Sequence, residues 1–192
     1  MSEQDMPVLA EKPMRADAAR NRAKVLEVAY ETFAAEGLAV PIDEIARRAG
    51  VGAGTVYRHF PTKEALFGAV FEDRLRRIAE HARALLSSAG PGEALFEFLR
   101  QMVRTGATDS GLVDALAGYG IDLEAAAPGA EATFIGMLDE LLIAAQHAGT
   151  VRTDVGVMDV KALLLVCKTS QLYGPDVADR ITEVIVDGLA TR

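Results

Sequence analysis

The chain has 192 residues, half of them apolar, and a formal net charge of −8. That length suits one substantial domain or a small module joined to a larger one, and an alanine- and leucine-rich chain without apolar–polar alternation points to an all-α fold. A single cysteine, Cys167, excludes an internal disulfide; no leader peptide is visible and no apolar run approaches the roughly 20 residues that span a bilayer, so a cytoplasmic protein with no membrane contact is expected.

Residues 1–14 contain two prolines and no periodicity, and read as a disordered tail. A first helix is predicted from about Arg15 to Glu36, with Val25, Leu26, Ala29 and Phe33 as its apolar stripe and Gly37 as its stop. A short second helix follows, with Ile42, Ile45, Ala46 and Ala49 at i, i+3, i+4 and i+7; Pro41 suits its start and Gly50 a left-handed cap beyond its end. A third helix starts near Gly52 or Ala53 and must end by Phe60, because Pro61 disfavours helical geometry in the residue before it. Thr62 is a good N-cap for a long fourth helix carrying Leu66, Phe67, Val70, Phe71, Leu75, Ile78, Leu85 and Leu86. Further helices are predicted over Glu93–Thr105, Ala130–Ala148, Val157–Tyr173 and Pro175–Ala190, about nine in all, with residues 106–127 poorly defined. The helix from Ala130 is apolar nearly all round and should be central.

Two short helices joined by a glycine turn and braced by a first helix form a helix-turn-helix unit, here residues 15–62, in which the second of the pair enters the major groove of DNA. Ala53, Val56 and Phe60 give the third helix an inner face. Gly52, Thr55, Arg58 and His59 lie on the other side, with Tyr57 near the boundary. Thr55 and Tyr57 suit phosphates or base edges, Arg58 suits guanine, and Lys63 sits at a helix start that favours a phosphate. The net charge does not oppose this reading: residues 1–65 hold nine Lys/Arg against ten Asp/Glu, so the acidity belongs to residues 66–192.

The stretch from Ile42 to Phe67, "IDEIARRAGVGAGTVYRHFPTKEALF", resembles the signature of the TetR family of transcriptional regulators. The similarity covers about Arg15 to Phe67 and is specific at Ala49-Gly50-Val51, Gly54-Thr55-Val56-Tyr57, His59-Phe60 and Lys63-Glu64. "AGTVRTDV" at 148–155 also resembles a turn before the family's last two helices. The resemblance implies phosphate contacts from Tyr57, His59, Lys63 and Arg48, with Gly54, Thr55 and Arg58 at or near the bases. Two departures remove positioning contacts: Val40-Pro41 replaces a frequent threonine pair, and Gly52 stands where serine is usual. Arg15, Arg20, Arg22 and Lys24 are candidates to compensate.

Residues 63–192 would then form a ligand-binding and dimerisation domain. One DNA-reading module buries only ~600–1,000 Å², so a homodimer on a near-palindromic double-stranded operator is expected. The resemblance implies that the last two helices pair with their copies through Leu163, Cys167, Ile181, Val184, Ile185, Gly188 and Leu189. A pocket for a hydrophobic small-molecule effector is expected among Phe96, Leu99, Met102, Val103, Leu112, Leu116, Tyr119, Phe134, Met137, Leu138, Leu141 and Leu164, with Lys168 or Arg104 available to an anionic group. No cofactor or metal is expected, and no catalytic constellation appears: the three histidines are scattered and Cys167 has none near it in sequence. Repression is the default. The alternatives are activation by the same fold and a helical dimer that acts through protein contacts without DNA.

Overall fold

The computed structural model describes residues 11–104 and 123–191, in which every regular element is helical. In chain order these are α1 (Glu11–Glu36), α2 (Ile42–Ala49), α3 (Ala53–His59), α4 (Lys63–Ser88), α5 (residues 94–104), α6 (Leu123–Ala126), α7 (Ala130–His147), α8 (Val157–Ser170) and α9 (Pro175–Leu189). A single 3₁₀ turn, Gln171–Tyr173, joins α8 to α9. The positions Leu112, Leu116 and Tyr119 lie outside the described residues.

The punctuation seen in the sequence fixes most boundaries. Gly37 takes φ 74° and donates its N–H to the Phe33 carbonyl at 3.0 Å, closing α1. Gly50, at φ 64°, closes α2 the same way, returning its N–H to Arg47 at 3.1 Å. The Thr62 hydroxyl accepts from the Ala65 N–H at 3.1 Å and starts α4. The first helix begins a turn earlier than expected, at Glu11. Pro13 then falls within the first turn, where a missing N–H leaves no helical hydrogen bond unmade.

Two cores result. The first joins Val25, Leu26 and Phe33 of α1, Ile45 of α2, Val56 of α3, Phe60, and Leu66, Phe67 and Val70 of α4. The second joins Ala79, Ala82 and Leu85 of α4 to Leu95, Phe98 and Leu99 of α5, Leu138, Leu141 and Leu142 of α7, and Val160 and Leu164 of α8. The 26 residues of α4 span about 39 Å and contribute to both, so one rigid rod links them. α7 packs on α4 and α8, the central place its apolar surface requires. The segment 148–155 is tied to the end of α9 and to the turn before α5: Arg152 donates its N–H to the Leu189 carbonyl at 3.0 Å, and the Thr150 hydroxyl donates to the Gly92 carbonyl at 2.8 Å. Among the described residues no helix is long and apolar enough to cross a membrane.

Candidate nucleic-acid interface and a partly open cavity

Burial divides α3 sharply. Val56 and Phe60 are inserted in the first core, while Thr55, Tyr57, Arg58 and His59 are exposed together with Gly52 and Gly54. Tyr57 is the telling residue: an aromatic residue 44% exposed on a seven-residue helix leaves apolar and polar surface available to a partner. Arg58 has no carboxylate partner among the described residues, so its guanidinium is available. Arg22 of α1 lies over the Phe60 ring at 5.6 Å, bringing a second cation beside α3. Arg20 is instead paired with Asp17.

The other two predicted phosphate ligands already have partners. Arg48 is held by two carboxylates: its Nε donates to Glu44 at 2.7 Å, and its terminal nitrogens reach Glu36. Arg47 donates to both oxygens of Glu44, each at 2.7 Å. Hydrogen bonds from Arg47 and then Arg48 pull the Glu44 carboxyl down to about 2. Lys63 donates to the Leu38 carbonyl at 2.7 Å and to Ala39 at 3.4 Å, tying the start of α4 to the turn after α1. Sequence reasoning missed both arrangements, although Glu44 standing three and four residues before two arginines is a legible signal.

Between α4, α7 and α8 lies a cavity of about 570 Å³. Among the described residues its lining comes from Phe71, Arg74, Leu75 and Ile78 of α4, Met102 of α5, Ala130, Glu131 and Phe134 of α7, and Met158, Lys161, Ala162, Leu164, Leu165 and Lys168 of α8. Of the residues proposed from sequence, Met102, Phe134, Leu164 and Lys168 are at the cavity. Phe96, Leu99, Met137, Leu138 and Leu141 are buried in the second core and are not among the lining residues. Val103 packs with Cys167 and Ala178, and Arg104 does not line the space. The whole α4 wall was missed, because its i, i+3, i+4, i+7 stripe reads as ordinary core.

The proposed pairing face divides likewise. Val184 is 66% exposed, and Leu163, Ile181, Ile185 and Gly188 are partly or fully open. Cys167 and Leu189 are buried within the protomer, so they belong to its own core and not to an open face. Burial pushes the Cys167 thiol up, which disfavours its thiolate. Unanticipated exposed apolar side chains add to the surface: Val166, Leu172 and Tyr173.

Comparison with known proteins agrees with both halves. The profile described as bacterial regulatory proteins, tetR family, matches residues 25–70, and that of the SbtR-like transcriptional regulator C-terminal domain matches residues 90–191. A TetR transcription regulatory protein from Mycobacterium vanbaalenii is 68% identical, superposes with a TM-score of 0.81, and is matched over 93% of this chain and 100% of its own. The TetR transcriptional regulator SCO0520 from Streptomyces coelicolor is 33% identical with a TM-score of 0.73, over 88% of this chain and 98% of its own. An HTH-type transcriptional regulator of Staphylococcus aureus (strain USA300) is 43% identical over 54 residues, which is 28% of this chain and 29% of the relative. The match therefore spans less than a third of this chain and of that curated relative.

Proposed function

The chain belongs to the TetR family of transcriptional regulators, and from that premise we propose that it is a ligand-responsive repressor that binds a near-palindromic operator as a homodimer. The observation that carries this reading is the division of α3: Val56 and Phe60 lock it to the first core, so Thr55, Tyr57, Arg58 and His59 are presented as one rigid set. Rigid presentation lets a few side chains read base edges, because little ordering entropy is lost on docking. One such helix offers too little surface for specific binding. Two copies joined through the exposed apolar side chains of α8 and α9 double it and fix the spacing between half-sites.

The cavity supplies the control element. Phe71 lines it and also packs against the first core, so a molecule that fills the cavity touches the rod that positions α3. A ligand that favours one tilt of α4 over another shifts the population of DNA-competent dimers by its difference in affinity for the two. Coupling of ~1–3 kcal/mol changes DNA affinity about 5- to 150-fold.

The test is a gel shift with fragmented genomic DNA at several salt concentrations, followed by sequencing of the retained fragments. A common inverted motif is expected, with binding that weakens steeply with salt. A protein that retains no fragment at low salt would instead be one that acts through protein contacts, the reading that the open α3 face disfavours.

A further inference from the structure

The ionisable residues around the cavity run against the charge of the chain. Three cations, Arg74, Lys161 and Lys168, and one carboxylate, Glu131, line it in a protein of formal net charge −8. Two of the cations have other engagements: Lys161 is paired with Glu131, and Arg74 lies 5.3 Å from the centre of the Tyr30 ring. Lys168 has no hydrogen-bond or ion-pair partner among the described residues. It is partly buried and borders walls made by Phe71, Leu75, Ile78, Phe134 and Leu164. An anion brought to such an unpartnered ammonium gains a charge-assisted hydrogen bond, while the apolar walls take up a hydrocarbon body.

We propose that the cavity takes an amphipathic organic anion, with its carboxylate on the Lys168 ammonium and its apolar body against Phe71, Leu75, Ile78 and Phe134. This rests on reading the cavity as the effector site and names the chemical class of the effector. A cationic amphiphile meets repulsion there. A neutral one of equal length keeps the apolar contacts and loses the charge-assisted hydrogen bond. The volume of about 570 Å³ lies within the range of small-molecule sites.

Calorimetric titration of the purified protein with decanoate, decan-1-ol and decyltrimethylammonium tests this, with DNA release followed separately by fluorescence anisotropy. Decanoate should bind at least tenfold more tightly than decanol, and the trimethylammonium most weakly. Each added methylene should tighten binding about fourfold until the cavity is full. Lys168→Met should erase the preference for the anion, a loss of about 10- to 100-fold for decanoate with little change for decanol. Lys168→Arg should restore the preference and so exclude a folding defect. Equal or tighter binding of decanol, a preference that survives Lys168→Met, or no binding by any of the three overturns the proposal. Lys168-dependent decanoate binding that leaves DNA affinity unchanged supports the anion site and removes its role as effector site. Release of DNA by decanol alone does the reverse.

Discussion

A Cβ added to Gly68 would stand 2.0 Å from the carbonyl oxygen of Ala126, so α4 and the end of α6 meet backbone to backbone. The contact lies in the first third of α4, close to Phe67 and Val70 of the first core. No side chain fits there, which explains a glycine inside a long helix that would otherwise favour alanine. Gly68→Ala should force α6 away from α4 and cost about 1–3 kcal/mol, an effect of overpacking. Gly136 of α7 provides the opposite case, since a Cβ there meets nothing within 4 Å. Gly136→Ala should stabilise by up to ~1 kcal/mol. Thermal melts of the two variants on opposite sides of wild type would establish the close approach; a Gly68→Ala protein that melts like wild type would dismiss it.

Lys63 separates two roles that its sequence position cannot. Its ammonium has three donors, and two carbonyls, of Leu38 and Ala39, receive from it. Lys63→Gln should therefore lower the melting temperature as well as weaken DNA binding. The slope of log affinity against log salt decides between the roles. A fall of about one unit means that the ammonium neutralises a phosphate, whereas weaker binding at unchanged slope means that Lys63 acts by holding α4 to the α1–α2 turn.

The same distinction explains what was legible beforehand. Caps and stops depend on neighbours in sequence, so Gly37, Gly50, Thr62 and the Phe60–Pro61 junction placed the first four helices closely. The exposed set on α3 followed from a 3.6-residue period over one short helix. The cavity did not follow, because a lining residue and a core residue have the same composition: Leu138 and Leu141 are core, whereas Leu75 and Ile78 line space. Only the gaps between α4, α7 and α8 distinguish them, and gaps are properties of packing between distant segments. Cys167 and Leu189 failed as interface candidates for the same reason, since a stripe shared by two helices does not say which neighbour it faces.

Glu44 makes acid sensitivity and DNA affinity testable in one variant. Its carboxyl is pulled from the ordinary 4.5 to about 2 by Arg47 and Arg48, so the ionised form favours the folded state. That contribution is complete above pH 4.5 and is lost as pH falls through about 2. Glu44→Gln should flatten the pH dependence of stability across that window. Because it also frees Arg47 and leaves Arg48 held by Glu36 alone, it should raise DNA affinity at neutral pH and steepen the salt dependence. Titration of unfolding by acid checks the first effect and anisotropy the second. Unaltered DNA affinity would place Arg47 away from the phosphates.

Val184 is the cleanest probe of assembly. It is 66% exposed on α9, whereas Ile185 beside it packs against Val103 and Cys167 and would report on folding as well. Val184→Glu should leave the melting temperature of the protomer nearly unchanged, since an exposed position tolerates a charge within ~0.5 kcal/mol. Facing its own copy across a two-fold axis, the same charge is buried or repelled. The variant should sediment as a folded monomer and lose operator binding with α3 intact. A dimer persisting at micromolar concentration in light scattering would move the interface off this face.

Phe71 is where occupancy of the cavity and the position of α3 meet. It lines the cavity, its ring stacks on Phe67 at 6.4 Å with planes 28° apart, and Phe67 in turn meets Phe33 of α1 at 6.1 Å. A ligand that displaces Phe71 therefore pushes directly on side chains of the first core. Leucine at this position keeps apolar bulk but removes the stacked ring, so Phe71→Leu should fold, bind DNA and bind a cavity ligand with modest losses. The quantity expected to change is the coupling, measured as the ratio of DNA affinities without and with saturating ligand. It should fall from the 5- to 150-fold range of a working switch toward one. Proximity alone does not establish coupling, and this ratio is the measurement that does. A variant with full coupling would show that the signal leaves the cavity by another route, with the close approach of Gly68 and Ala126 the next to test.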